Sequence, residues 1–200
     1  MTGASASSPE EAVRERVWAL LERERRARFP GGTGRIPNFA GAPVAAARLA
    51  SLPEWRAARV VRANPDAPQL PVRARALAEG KLLYMAVPRL ADERPFIRLD
   101  PERLDVPPRR AASITGSTRA GRRIGVAEPT SVDLVIRGSV AVNRQGARVG
   151  QGRRLLGPGV RVAGRGRPDR ASTPCWPPPS TRCRCWTKPC QRPPTTSAST

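Results

Sequence analysis

The abrupt loss of patterning after Gly152 constrains this chain more than any other feature. Residues 1–150 place apolar side chains at helix and strand spacing, hold 26 basic against 15 acidic residues, and contain no cysteine. Residues 151–200 hold 10 basic residues and a single acid, Asp169, together with all four cysteines and nine of the 23 prolines. A segment with runs such as Pro177-Pro178-Pro179 and no periodic apolar face cannot bury enough surface to offset the entropy of ordering it. The expected organisation is a flexible start over 1–9, one α/β domain over 10–152, incomplete at its C-terminus, and a disordered Pro/Arg-rich tail over 153–200.

The formal charge of +20 suggests a polyanionic partner such as nucleic acid or an anionic membrane surface. That inference is weakened by the kind of base present. Lys81 and Lys188 are the only lysines among 36 basic residues, and Arg, Ala, Gly, Pro and Val all come from G+C-rich codons. Genome composition is expected to account for some of the excess, so nucleic acid is a disfavoured but open partner. No apolar run approaches the roughly 18 residues that a membrane span needs. The opening residues also lack the basic and apolar regions of a secretory leader. A cytoplasmic location is the expectation.

The elements can be read in order. Ser8, Pro9 and Glu11 form a capping box with proline at the first helical position. Val13, Val17, Leu20 and Leu21 continue as a helical stripe, supported by Glu22–Arg26 and Glu24–Arg28 pairs, which predicts a helix running to Phe29-Pro30. A second helix is expected over Pro43–Ser51 and a short β-branched run over Ala57–Ala63, closed by the turn Asn64-Pro65-Asp66. Pro71 opens a further helix that Gly80 can end as its left-handed residue, and Lys81–Val87 follows as an apolar strand. Strand, helix and strand in succession predict a parallel βαβ unit. Pro95–Leu99 and Ser131–Ile136 read as further strands, and 105–123 as surface loop.

Two segments carry a family resemblance. The first is FPGGTGRIPNFAGAPVAAARLASLPEWRAARVVRANPDAPQLPVRARALAEGKLLYMAVPRL, which contains Arg35–Phe39 as RIPNF; the second is VDLVIRGSVAVNRQGARVGQG, residues 132–152. In order and spacing they resemble the 5-formyltetrahydrofolate cyclo-ligase family, over roughly residues 10–152. The resemblance implies a three-layer, Rossmann-like α/β domain with a mostly parallel sheet. It also implies a reaction in which ATP, with Mg²⁺, drives ring closure of 5-formyltetrahydrofolate to 5,10-methenyltetrahydrofolate. The formyl oxygen leaves poorly until it is phosphorylated, after which N10 can close the ring and expel phosphate. The protein's share of such chemistry is positioning and charge stabilisation.

By position, Arg148, Gly150, Gln151 and Gly152 correspond to the start of the family's glycine-rich phosphate loop, and Arg14 or Arg16 to a basic residue at the nucleotide. Glycine lets backbone N–H groups approach an anion; simple turns at Gly146 and Gly150 are an equal alternative, as is a solvated helix face for Arg14 or Arg16. Asn64, Asp66 and Gln69 are the substrate-side candidates, against the alternative of a plain Asn-Pro-Asp turn. Where the family carries a glutamate at a helix start, this chain has Asp66-Ala67-Pro68-Gln69. That departure keeps open a non-catalytic binder of a folate- or thiamine-related molecule.

Beyond Gly152 the family pattern stops. Moving the reading register by a single base lets codons for the residues from Arg153 onward translate instead as Gly-Gly-Tyr-Ser-Asp-Leu-Glu-Phe, the missing loop and the start of an amphipathic helix. A second slip of different sense restores an ordinary strand-and-loop string from Ser180 to Cys190. The cysteines of the tail, Cys175, Cys183, Cys185 and Cys190, have neither CxxC spacing nor histidine to bind zinc, so no metal site is assigned. Sequencing the gene around the codon for Gly152 is expected to reveal a register change there. Clean single-frame reads matching this translation would remove sequencing error as its source.

Overall fold

The computed structural model describes residues 8–87, 94–125, 128, 131–143 and 146–152, and the backbone of two short paired strands, Arg184–Cys185 and Lys188–Pro189. Its frame is a five-stranded sheet in the order β4-β3-β2-β1-β5. The strands are β1 (Val60–Ala63), β2 (Leu82–Ala86), β3 (Phe96–Leu99), β4 (Arg122–Ile124) and β5 (Leu134–Ile136). β1 pairs in parallel with β2 on one side and β5 on the other, while β3 pairs antiparallel with both β2 and β4. Four of the five strands therefore run the same way, as expected for a mostly parallel sheet.

The βαβ unit lies where its residue pattern predicts. Helix α4 (Leu70–Ala78) joins β1 to β2, and Gly80 ends it at φ +74°. Gly80 N–H donates to Leu77 O at 3.2 Å and Lys81 N–H to Ala76 O at 2.8 Å, the paired bonds of a Schellman cap. Helix α2 (Ala42–Ala50) also matches, and a five-residue helix α3 (Pro53–Ala57) stands just ahead of β1. These helices bury Leu49, Trp55, Ala76 and Leu77 against Val61, Leu83, Met85, Ile97 and Leu99 on one sheet face. The opposite face carries a smaller cluster of Tyr84, Phe96, Ile124 and Val132, with no helix residue among those described. The third layer of the expected fold is thus not among the described residues.

Two expectations are corrected. Helix α1 (Pro9–Arg23) begins with the predicted cap, Ser8 Oγ accepting from Glu11 N–H at 3.3 Å, but stops six residues before Phe29. Arg25 turns left-handed at φ +50°, and the chain leaves the helix to pair, with Arg28 N–H donating to Asn38 O and an antiparallel bridge joining Ala27 to Phe39. A tertiary pairing ends the helix before the proline can, so Glu22–Arg26 and Glu24–Arg28 share no helical face. Residues 105–123 are not simply surface loop either. They form α5 (Pro108–Ala111), α6 (Ile114–Ala120) and the start of β4, with Ala111, Ala112 and Ser117 fully buried. Small side chains let these turns lie close to α4 and β3, an arrangement that Pro/Arg/Ser-rich composition conceals.

The closeness to β3 shows at Gly121, where an added Cβ would collide with Ile97 Cγ2 and lie 2.7 Å from Ser117 O. Gly121→Ala is expected to destabilise the fold by about 1–3 kcal/mol, read as a lower denaturation midpoint at unchanged slope. An unaltered midpoint would mean that α6 does not lie against β3 as described.

Candidate functional site

The sheet order reverses at one place. From β1 the chain first builds toward β2 and later returns to place β5 on the other flank of β1. The carboxyl ends of β1 and β5 thus mark the switch point of the sheet, where open α/β sheets usually form their ligand crevice. Asp133 fixes this junction at its other end, where its Oδ2 accepts from Arg59 N–H at 2.8 Å and Val60 N–H at 2.9 Å. The residue number of Asp133 gave no sign of this role; only the pairing of β1 with β5 reveals it.

Asn64, Asp66 and Gln69 all lie on the β1 side of the crevice. Gln69 is 6% exposed, and its Oε1 closes the turn by accepting from Asn64 N–H at 2.9 Å. Its Nε2 and Asp66 Oδ2 have no hydrogen-bond partner among the described residues. Both atoms face Gly138, just past β5. A Cβ built on Gly138 would stand 2.6 Å from Asp66 Oδ2, 3.0 Å from Gln69 Nε2 and 3.0 Å from Ile36 Cγ2. Glycine is required there by close approach, not by backbone angle. Burial pushes the Asp66 carboxyl above its ordinary range, against a hydrogen bond from Asn64 and the nearby charge of Arg73. An orphaned acceptor beside an orphaned donor suits a ligand edge that offers both an N–H and a C=O.

The glycine-rich residues form the neighbouring wall. A two-strand hairpin, β6 (Ala141–Val142) with β7 (Arg148–Val149), leads into Gly150–Gly152. Arg14 from α1 lies beneath this loop with its side chain only 9% exposed. Its Nε donates to Gly150 O at 2.8 Å, Nη1 to Glu11 Oε2 at 2.7 Å and Nη2 to Glu10 Oε2 at 2.8 Å. Gly152 sits at φ +88°, and a side chain there would rest on the guanidinium, 3.6 Å from its Cζ. Gln151 Oε1 accepts from Ile36 N–H at 3.2 Å, and Trp18 Nε1–H donates to Arg35 O at 3.1 Å. Trp18, Ile36 and Val140 pack together beneath these bonds. The RIPNF segment is therefore the piece that joins the glycine loop to the crevice.

The structure brings Arg14, Gly150, Gln151 and Gly152 together. Arg148 stands on β7 with an exposed side chain, and Arg16 is exposed on α1. Two buried residues have no signal in the sequence: Ile36, which is bonded to Gln151 and lies beside Gly138, and Arg73, which lies behind Asp66. A Cβ added at Gly150 would meet no atom of the described residues within 4 Å. Arg14 must give up carboxylate partners to contact an anion. Among the described residues no group of three or more His, Cys, Asp or Glu side chains could hold a metal ion. A magnesium ion here would have to be held largely by phosphate and water, as that ion often is. No helix of the described residues is long and apolar enough to cross a membrane. The proposed register change, the helix after the glycine loop and the tail cysteines lie outside the described residues.

Comparison with known proteins gives a consistent answer. The model of the 5-formyltetrahydrofolate cyclo-ligase family matches residues 6–154. A methenyltetrahydrofolate synthase domain-containing protein of Mus musculus is 37% identical over 150 residues, covering 71% of this chain and 39% of that protein. The Bos taurus protein of the same description is 36% identical over 148 residues, and the Homo sapiens protein 33% over 148, each covering 70% of this chain and 37% of its own length. The chain thus spans less than half the length of these relatives.

Asp66 supplies a pH test of the crevice. Its folded pKa is raised, so its protonated form stabilises the fold fully below the ordinary value of 3.8, and that contribution fades as pH rises through the folded value. Asp66→Asn removes the titration, and is expected to melt above the parent chain near neutral pH, with the gap closing on acidification. A gap that widens toward acid would contradict the burial of this carboxyl.

Proposed function

The chain belongs to the 5-formyltetrahydrofolate cyclo-ligase family, and on that premise we propose that its crevice binds a reduced folate beside the phosphates of ATP. The observation that carries this reading is the pair of unpartnered atoms, Asp66 Oδ2 and Gln69 Nε2, facing Gly138. A pterin ring offers ring N–H and amino donors next to a carbonyl acceptor, which complements that pair. The glycine loop over Gly150–Gly152 would receive the phosphates, with Arg14 supplying positive charge after exchanging Glu10 or Glu11 for a phosphate oxygen. ATP, when bound, would supply the phosphoryl group that makes the formyl oxygen a leaving group. The protein's own residues bind and orient: Asp66 and Gln69 hold the ring, and Ile36 spaces the two walls. A cytoplasmic location follows from this role in the same proposal.

Turnover by this chain is proposed to be impaired, because the family pattern of the phosphate loop ends at Gly152. A second reading, binding of a folate- or thiamine-related molecule without ATP, is favoured by one feature. Glu10 and Glu11 already neutralise Arg14, so the loop attracts a polyphosphate less strongly than an unpaired arginine would.

Mixing the purified chain with ATP, Mg²⁺ and 5-formyltetrahydrofolate and following methenyl absorbance tests these statements. No absorbance is expected from this chain, and turnover is expected once the register is restored after Gly152. Turnover by the present chain would refute impairment; a restored chain that binds the folate without ATP and never turns over would favour the second reading. In the restored chain Arg14→Ala should weaken ATP binding by roughly ten-fold or more while leaving folate binding nearly intact.

A further inference from the structure

Arg73 is the most deeply buried charged residue described, 1% exposed on α4 at the back of the crevice. None of its recorded bonds is to a carboxylate. Its Nη1 donates to Asn64 O at 2.6 Å and to Asp66 O at 2.9 Å, and its Nε donates to Ala112 O at 2.9 Å. Three main-chain carbonyls from two separate segments therefore converge on a single guanidinium. Burying an arginine is costly, and burial lowers its pKa to about 10 even with Asp66 nearby to favour the charged form. A hydrophobic residue would fill the same space more cheaply, so a fold needing only packing has no use for a cation here.

The carbonyls it binds explain the choice. Asn64 and Asp66 flank Pro65, which has no N–H to donate, and the turn's own bonds, Gln69 N–H to Asp66 O at 3.1 Å and Asn64 N–H to Gln69 Oε1 at 2.9 Å, leave Asn64 O to Arg73. The other anchor, Ala112, lies at the junction of α5 and α6, which is itself locked by small buried side chains. Arg73 thus adds a tie between this turn and a separate segment of the fold. On the far side of that turn stand Asp66 Oδ2 and Gln69 Nε2.

We propose that Arg73 is a positioning residue: its planar fork clamps the Asn64–Gln69 turn to the α5–α6 junction, so that Asp66 and Gln69 present their free atoms to a ligand at Gly138. The proposal rests on the reading of the crevice as a folate site. A guanidinium holds several carbonyls in one plane, and an ammonium at the same place does not, so charge and geometry can be separated by Arg73→Lys and Arg73→Met.

The test uses the full chain, with 5-formyltetrahydrofolate and ATP titrated separately by calorimetry. Both substitutions should weaken folate binding by roughly ten-fold or more, since two or more charge-assisted bonds are lost, while ATP affinity stays within about two-fold of the parent. The groups recorded against the Asp66 carboxyl are Asn64 and Arg73. The acid limb of folate binding should therefore move to higher pH in Arg73→Met, which loses the charge, and stay near the parent's in Arg73→Lys. Arg73→Lys with parental folate affinity would overturn the proposal, as would an equal loss of folate and ATP binding. If Arg73→Met fails to melt cooperatively, Arg73→Lys alone decides by the same criteria. If the parent chain itself does not bind the folate, the folate reading fails, and hydrogen exchange decides the clamp. Faster exchange in Arg73→Lys confined to the Asn64–Gln69 turn supports it, and unchanged exchange there refutes it.

Discussion

The parallel pairing of β1 with β5 is the contact on which the candidate site depends. Val61, Arg62 and Ala63 face Leu134, Val135 and Ile136 in register, and a slip of one residue would exchange every inward side chain for an outward one. Asp133 guards against that slip by taking the N–H groups of both Arg59 and Val60 on a single carboxylate oxygen. With the strands held at that end, their carboxyl ends deliver Asn64 and Gly138 to opposite lips of the same crevice. The distance between Asp66 Oδ2 and the backbone of Gly138 is thus a result of strand register more than of loop chemistry.

The second wall is attached differently. No strand of the central sheet carries the glycine loop; α1 and the RIPNF segment do. Arg14 grips Gly150 from below, Gln151 is bonded to Ile36, and Trp18 is bonded to Arg35. Each joins residues far apart in the chain, so the loop's shape is set by tertiary contacts that α1 organises. Helix α1 accordingly contributes more to the site than to the main core, where it has no residue.

Much of this was legible from residue patterns, and the failures share a cause. Pro71 and Gly80 announce the ends of α4, and apolar runs announce β1, β2 and β3, because local chemistry decides those features. The stop of α1 at Arg23 was not legible, since it depends on Arg28 meeting Asn38 across a loop. Residues 108–120 look like surface because alanine, serine and glycine bury without announcing it; their small size is itself the reason they can pack so closely. Arg73 resembles any other arginine in a chain rich in them, and only three converging carbonyls distinguish it. For the site, glycine spacing and the family resemblance single out Gly150–Gly152 and Arg14, which the structure places side by side. Neither could show that Asp66 and Gln69 keep one atom each without a partner among the described residues.

Lys81 carries a consequence of a different kind. It is one of two lysines in the chain, it is 8% exposed, and its Nζ donates to Ala58 O at 2.8 Å while lying 5.4 Å from the centre of the Trp55 ring. A domain almost devoid of free amines is nearly invisible to acylating reagents and amine crosslinkers. For the same reason, modification at this one position becomes a clock for opening of the fold, with little background from the rest of the domain's surface.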